Sequence, residues 1–299
     1  MFIKISRVLS VLLIAGILLA SVTFPTSVRA DSTITVNTTD DELNTDGDCS
    51  LREAIQAANT NTAVDACTAG SGADTITVPA GTYTLTIIGM DEDANTTGDL
   101  DITDSVTING AGADITLIQA GTSGYPNVPN GIDRVLHIFS GITVSITNVT
   151  IANGISAGYG GGIYNSGNLT VVDSTFSGNR TDSVSRGGGG VYNSGTLTVT
   201  NSTFSDNHSY EEGGGIDSYG LLVVTNGTFL SNTTSYYGGG INSHGTLAVT
   251  NSIFSGNSAL VGGGIYKYAS AVTVTNSTFS GNSATSGGGI YNCFGTMTV

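Results

Sequence analysis

The chain has 299 residues, of which 43 are glycine and none tryptophan, and its formal net charge is −15. With 8 basic residues against 23 acidic ones, its surface repels nucleic acid and anionic membranes, so neither is expected as a partner. The glycine content and the scarcity of helix-favouring sequence exclude a helical bundle and point to one elongated β domain.

Residues 1–30 read as a secretory signal peptide. Lys4 and Arg7 form a charged start, Leu9 to Leu19 an apolar run, and Val28-Arg29-Ala30 a small-residue cleavage site. The apolar run is too short and wrongly flanked for a permanent span. Export is therefore expected, with a secreted or cell-surface location, and it permits disulfides.

Residues 31–72 form an N-terminal cap. Ser50 and Glu53 have capping-box spacing, and Leu51, Ala54, Ile55 and Ala58 fall on one helical stripe. A short amphipathic helix there would cover the open end of a stacked structure. Cys49 and Cys67 are expected to pair, whereas Cys293 stands as a lone thiol in a later turn. Just before the helix, Glu42, Asn44, Asp46, Gly47, Asp48 and Glu53 fall at positions 1, 3, 5, 6, 7 and 12 of an EF-hand-like loop. Glu stands at the first position instead of Asp, and Glu53 is claimed by the capping box. The reading is a solvated acidic turn, with calcium on Glu42, Asn44, Asp46 and Asp48 as the alternative; no other metal or cofactor is expected. Asp91, Glu92, Asp93 and Asp99 make a second acidic loop of the same kind.

Residues 73–159 read as irregular early coils, with short alternating stretches such as Thr75-Ile76-Thr77-Val78 and Val106-Thr107-Ile108. Residues 160–299 are a regular array that ends mid-coil. Ile163, Val191, Ile216, Ile241, Ile265 and Ile290 each follow a Gly-Gly-Gly run at spacings of 28, 25, 25, 24 and 25. Phe176, Phe204, Phe229, Phe254 and Phe279 are each followed three residues on by Asn179, Asn207, Asn232, Asn257 and Asn282. A fixed period of this size marks a solenoid, whose units cannot bury their apolar faces alone. Three short strands and three turns per 25 residues make one coil of a parallel β-helix. Equal spacing stacks a Phe column inside and an Asn column at a turn, where the amides can bond along the stack. The first spacing is longer, and Arg180 to Arg186 absorbs the difference as a loop insertion. The unfinished last unit is expected to expose unpaired strand edges.

The string CSLREAI at 49–55, after Asp46-Gly47-Asp48, resembles the CSLREA domain of bacterial secreted β-helix proteins. The Gly-Gly-x-Ile and Phe-x-x-Asn repeats resemble those of polymorphic outer membrane proteins. Together these resemblances imply a right-handed parallel β-helix at the cell surface or released from it. They also imply a C-terminal β-barrel translocator. None precedes Val299, so outer-membrane or envelope anchoring would fall to a missing C-terminal region.

Many parallel β-helices cleave polysaccharides. A lyase needs clustered carboxylates and a nearby cation, but from Gly160 onward the basic residues are only Arg180, Arg186 and Lys267. The acids Asp173, Asp182, Asp206, Glu211, Glu212 and Asp217 sit at unlike repeat positions, and Asp206 fills an ordinary turn slot. Ser243-His244-Gly245 resembles the Ser-His-Gly of polygalacturonases, yet the same turn reads Asn193-Ser194-Gly195, so His244 is expected as an exposed turn residue. His137 and His208 have no metal-ligand spacing. Thr198, Thr200, Thr273 and Thr275 would suit an ice-binding face, but Val223 and Ala248 interrupt one column. The expectation is a secreted, non-enzymatic, adhesin-like surface module whose ligand is a surface glycan or protein. A carbohydrate-active lyase or hydrolase is the alternative.

Overall fold

The computed structural model describes residues 31–89, 92–121, 134–182 and 187–299. The expected signal peptide at 1–30, Asp91 of the second acidic loop, and Ser183 to Arg186 of the insertion lie outside the described residues.

Each coil contributes one strand to each of three parallel sheets. The longest sheet holds ten strands and runs from Thr33–Thr35 through Asp74–Val78 and Asn168–Val172 to Met297–Thr298. A glycine–isoleucine sheet of eight strands runs from Leu100–Ile102 through Ile163–Asn165 to Ile290–Asn292. A phenylalanine sheet, also of eight, runs from Gly81–Leu85 through Thr175–Ser177 to Thr278–Ser280. The early coils continue these sheets in register, for example with Leu100 beside Leu136 and Leu136 beside Ile163.

The three-strand expectation is incomplete. Ile155–Ser156, Arg180–Thr181, His208–Ser209 and Thr233–Thr234 form a fourth, short sheet at the corner after the Asn column. Its inward residues Ser156, Thr181, Ser209 and Thr234 are small, polar and buried, so hydrophobic alternation does not reveal it. Arg180 and Thr181, expected in an insertion loop, belong to this sheet.

The interior consists of in-register columns. Phe176, Phe204, Phe229 and Phe254 have no solvent exposure, and successive rings from Phe176 to Phe279 stack at 4.6–5.0 Å within 7° of parallel. At the next turn, each Asn Nδ2 from Asn179 to Asn257 donates to the following Asn Oδ1 at 2.9–3.0 Å. The second proton of Asn207 goes to the Phe176 carbonyl, and the Asn207 Oδ1 also accepts from the Asn179 main chain. The side-chain amides are fully used within the fold, so this column is a structural ladder.

The glycine runs follow from backbone crowding. Gly213 has φ +58°, and a Cβ on Gly214 would lie 2.5 Å from the Gly239 carbonyl oxygen. Only glycine permits that close approach of successive coils.

The helix Leu51–Thr60 covers the first coil. Ser50 and Glu53 form the reciprocal cap, and Asn61 ends the helix with φ 53°. Cys49 and Cys67 are joined in a disulfide, with Cα atoms 4.9 Å apart. Arg52 is buried under the helix, where Nε meets Asp41 Oδ1 at 2.7 Å and the guanidinium donates to the Gly98 and Asp99 carbonyls.

Candidate functional site

The outward, second residue of each strand in the glycine–isoleucine sheet forms a column over the length of the solenoid. In register it reads Asp101, His137, Tyr164, Tyr192, Asp217, Asn242, Tyr266 and Tyr291. Aromatic residues dominate because an outward sheet position favours flat, β-preferring side chains that pack on their neighbours. Where Asp217 and Asn242 interrupt the column, Tyr219 and His244 from the following turn restore it. The result is an unbroken chain of rings, His137–Tyr164–Tyr192–Tyr219–His244–Tyr268–Phe294, with centroids 4.2–5.8 Å apart. Six coil steps give it a length of roughly 29 Å.

The ring geometry is uneven. His137 on Tyr164 and Tyr219 on His244 are stacked within 6° of parallel, which hides the facing surfaces. His244 to Tyr268 is tilted by 45° and Tyr268 to Phe294 by 89°, so ring faces open outward there. Tyr219, Tyr268 and Phe294 are 47%, 42% and 63% exposed.

Acidic groups lie under the middle of the column, although they occupy unlike repeat positions. Glu212 Oε2 accepts from the Tyr219 hydroxyl at 3.0 Å and lies 3.7 Å from His244 Nε2. Asp217 is fully buried; Oδ1 accepts from Asn242 Nδ2 at 2.8 Å, while Oδ2 has no hydrogen-bond partner. Burial, then the Glu212 carboxylate, holds the Asp217 carboxyl well above the usual range. Burial and the Asp217 charge push the Tyr192 and Tyr219 hydroxyls upward, so both stay protonated as hydrogen-bond donors. His244 is corrected from an exposed turn residue to a half-buried ring held between Tyr219 and Tyr268.

Other sequence candidates fall elsewhere. Asp206, at φ 55°, takes the left-handed slot that Gly178 and Gly256 occupy in other coils. His208 lines a cavity of about 310 Å³ with Asn153, Ile155, Arg180 and Asp206, and bonds to Thr233 Oγ1 at 2.9 Å. Arg134 pairs with Asp99, Arg180 with Asp182, and the buried Lys267 donates to the Ser243 and Tyr268 carbonyls. Thr200, Thr225, Thr250 and Thr275 do align, but Val223 and Ala248 interrupt the parallel column as expected. Cys293 is unpaired and half-buried.

In the cap, Glu42, Asp46 and Asp48 come together, with ligand oxygens within 4.8 Å of one another. Burial and the Asp46 carboxylate push Glu42 up to about 7. The other members of the loop are committed to the fold. Glu53 accepts from the Asn44 and Ser50 main chains, and Asn44 Nδ2 donates to Glu42 and Asp46. Glu53 and the Asn44 amide are thus engaged in capping and turn bonds, while Glu42, Asp46 and Asp48 are the acids that converge. His137, read as having no metal spacing, is brought beside Asp93 and Asp101. No local motif signals that group, because its members come from three separate segments.

These features define a parallel β-solenoid carrying a long aromatic stripe with buried carboxyl groups beneath it. The chain belongs to the right-handed β-helix family, whose model for a right handed beta helix region matches residues 88–298. No curated protein sequence matches it significantly. Among solved structures, the A-module of the Azotobacter vinelandii mannuronan C-5 epimerase AlgE6 is similar at 17% identity and a TM-score of 0.35. That match covers 72% of this chain and 70% of the other.

Proposed function

We propose that this chain is an exported, non-catalytic β-helix module of the cell surface that binds a neutral glycan along its aromatic stripe. The observation that carries this reading is the run Tyr219, His244, Tyr268 and Phe294 at successive coils, in which Tyr219, Tyr268 and Phe294 are exposed and the rings beyond His244 are tilted. Exposed aromatic faces accept the C–H face of a sugar ring, and the hydroxyls and imidazole beside them supply orienting hydrogen bonds. The acidic surface argues against an anionic chain. Arg134 and Arg180 are committed to ion pairs and Lys267 to main-chain carbonyls, so these three leave no free cation for a uronate. The N-terminal sequence supports export, and the CSLREA-like and polymorphic outer membrane-like motifs support a surface setting.

The test is calorimetry against neutral oligosaccharides of increasing length. Affinity should rise until the chain spans the stripe and fall at least tenfold in Tyr219→Ala/Tyr268→Ala. Equal binding by wild type and variant, or none by either, overturns the reading.

A second reading, a carbohydrate-active enzyme, is favoured by one observation. Glu212 lies between the Tyr219 hydroxyl and His244 Nε2, an arrangement that could carry a proton. It predicts new reducing ends or unsaturated products from a bound polysaccharide, abolished by Glu212→Gln.

A further inference from the structure

We propose that Asp93, Asp101 and His137 form a binding site for one divalent first-row transition-metal ion, zinc(II) being the reference case. The site sits at the first ring of the stripe, His137, and does not depend on glycan binding. Asp101 and His137 are register neighbours at the start of the outward column. Asp101 Oδ1 lies 3.5 Å and Asp93 Oδ1 3.6 Å from His137 Nδ1, and all three atoms fall within 4.8 Å of one another. These two separations are too long for good hydrogen bonds. They match two ligands sharing a tetrahedral ion at about 2.0–2.2 Å, which places ligand atoms about 3.3–3.5 Å apart.

A second observation points to the same centre. Asp101 has no solvent exposure, yet neither its Oδ1 nor His137 Nδ1 has a hydrogen-bond partner. Two buried, unbonded atoms aimed at one another are costly unless something lies between them. The supporting contacts fix their aim. Asp101 Oδ2 accepts from the Asn95 main chain at 3.0 Å, which leaves Oδ1 to face the imidazole. The His137 ring is stacked on Tyr164 at 4.7 Å and packed against Phe139 at 4.1 Å. Such outer contacts orient ligands in metal sites.

Asp93 comes from a loop shaped by Glu92, whose carboxylate accepts from the Ala94, Thr96 and Thr97 main chains. The Asp93 side chain is 69% exposed, so the fourth coordination position opens to solvent. Two carboxylates and a neutral imidazole balance a dication. The mixed oxygen and nitrogen set favours a transition ion over calcium. Bound there, the ion would clamp the acidic loop onto the first strands of the glycine–isoleucine sheet.

The test uses the full chain, stripped with chelator and dialysed against zinc chloride, with bound metal measured per chain. One equivalent should bind, and Asp101→Asn or His137→Gln should weaken that binding at least tenfold. Glu42→Gln/Asp48→Asn should leave it intact, which separates this site from the acidic turn in the cap. Heteronuclear NMR of the imidazoles in the wild type adds a readout free of any folding defect, since zinc should shift His137 and leave His208 unmoved. The proposal is overturned if wild type takes up no zinc, if zinc leaves His137 unmoved, or if binding survives in Asp101→Asn/His137→Gln. It is also overturned if the cap variant alone abolishes binding.

Discussion

Asp217 occupies a position that holds tyrosine in four other coils of the same column, and it is wholly buried there. Its Oδ2 lacks a hydrogen bond, and burial with Glu212 nearby raises its pKa. The folded state therefore keeps a proton that the unfolded chain has already lost above the ordinary carboxylate range. Stability must fall as pH rises from that range through the folded value. Asp217→Asn, an isostere that can still accept from Asn242, should stabilise the protein at pH 7 by about 1–3 kcal/mol. The gain should shrink as pH is lowered toward about 4, where the unfolded aspartate also protonates. Denaturant midpoints at both pH values check this, and a gain independent of pH would show that the carboxyl is ionised in the fold.

The cap helix depends on one residue that hydrophobic patterning passes over. Leu51, Ala54, Ile55 and Ala58 face the first coil as their helical spacing requires, yet the helix is also tied down by Arg52. Arg52 lies buried beside the stripe, pairs with Asp41 and satisfies the Gly98 and Asp99 carbonyls, linking helix, N-terminal segment and second acidic region. Asp41 in turn accepts from the Ile87 main chain. Arg52→Leu leaves a buried carboxylate and two carbonyls without their donor, and such losses typically cost about 3–5 kcal/mol. Chemical denaturation should show that drop with the Cys49–Cys67 bond intact by non-reducing peptide mapping. A loss under about 1 kcal/mol would mean that Asp41 and the carbonyls find solvent instead.

Across the whole molecule, each coil contacts chiefly the one before and the one after, so stability is close to a sum of coils and their interfaces. Deleting residues 216–240, one full repeat of 25, joins Gly215 to Ile241 and recreates the junction it removes. This variant should fold with unchanged β signal per residue and somewhat lower stability. Deleting residues 216–228 should not, because it sets the columns of every later coil against the wrong partners. Circular dichroism and size-exclusion chromatography distinguish the two. Equal behaviour would show that column register does not hold the solenoid together. The last coil has a softer interior than the middle ones: Phe279, Ile290 and Met297 are half-buried where their counterparts are sealed.

The period of 24–28 residues, the Phe and Asn columns and the cap helix were legible in the chain alone. Equal spacing turns a local pattern into a stack, and a capping box acts within four residues. The Ser and Thr residues of the fourth sheet could not be read that way, because small polar inward residues carry no hydrophobic signal. The zinc-type triad and the Glu212–Asp217–His244 group were equally hidden. Asp101 meets His137 only because two early coils of unequal length place both second in their strands. His244 reaches Tyr219 and Glu212 because one coil lies directly over another. Sequence periodicity determines which positions stack. The wrapping of the coils and the lengths of their irregular turns decide which side chains at those positions come close enough to act together.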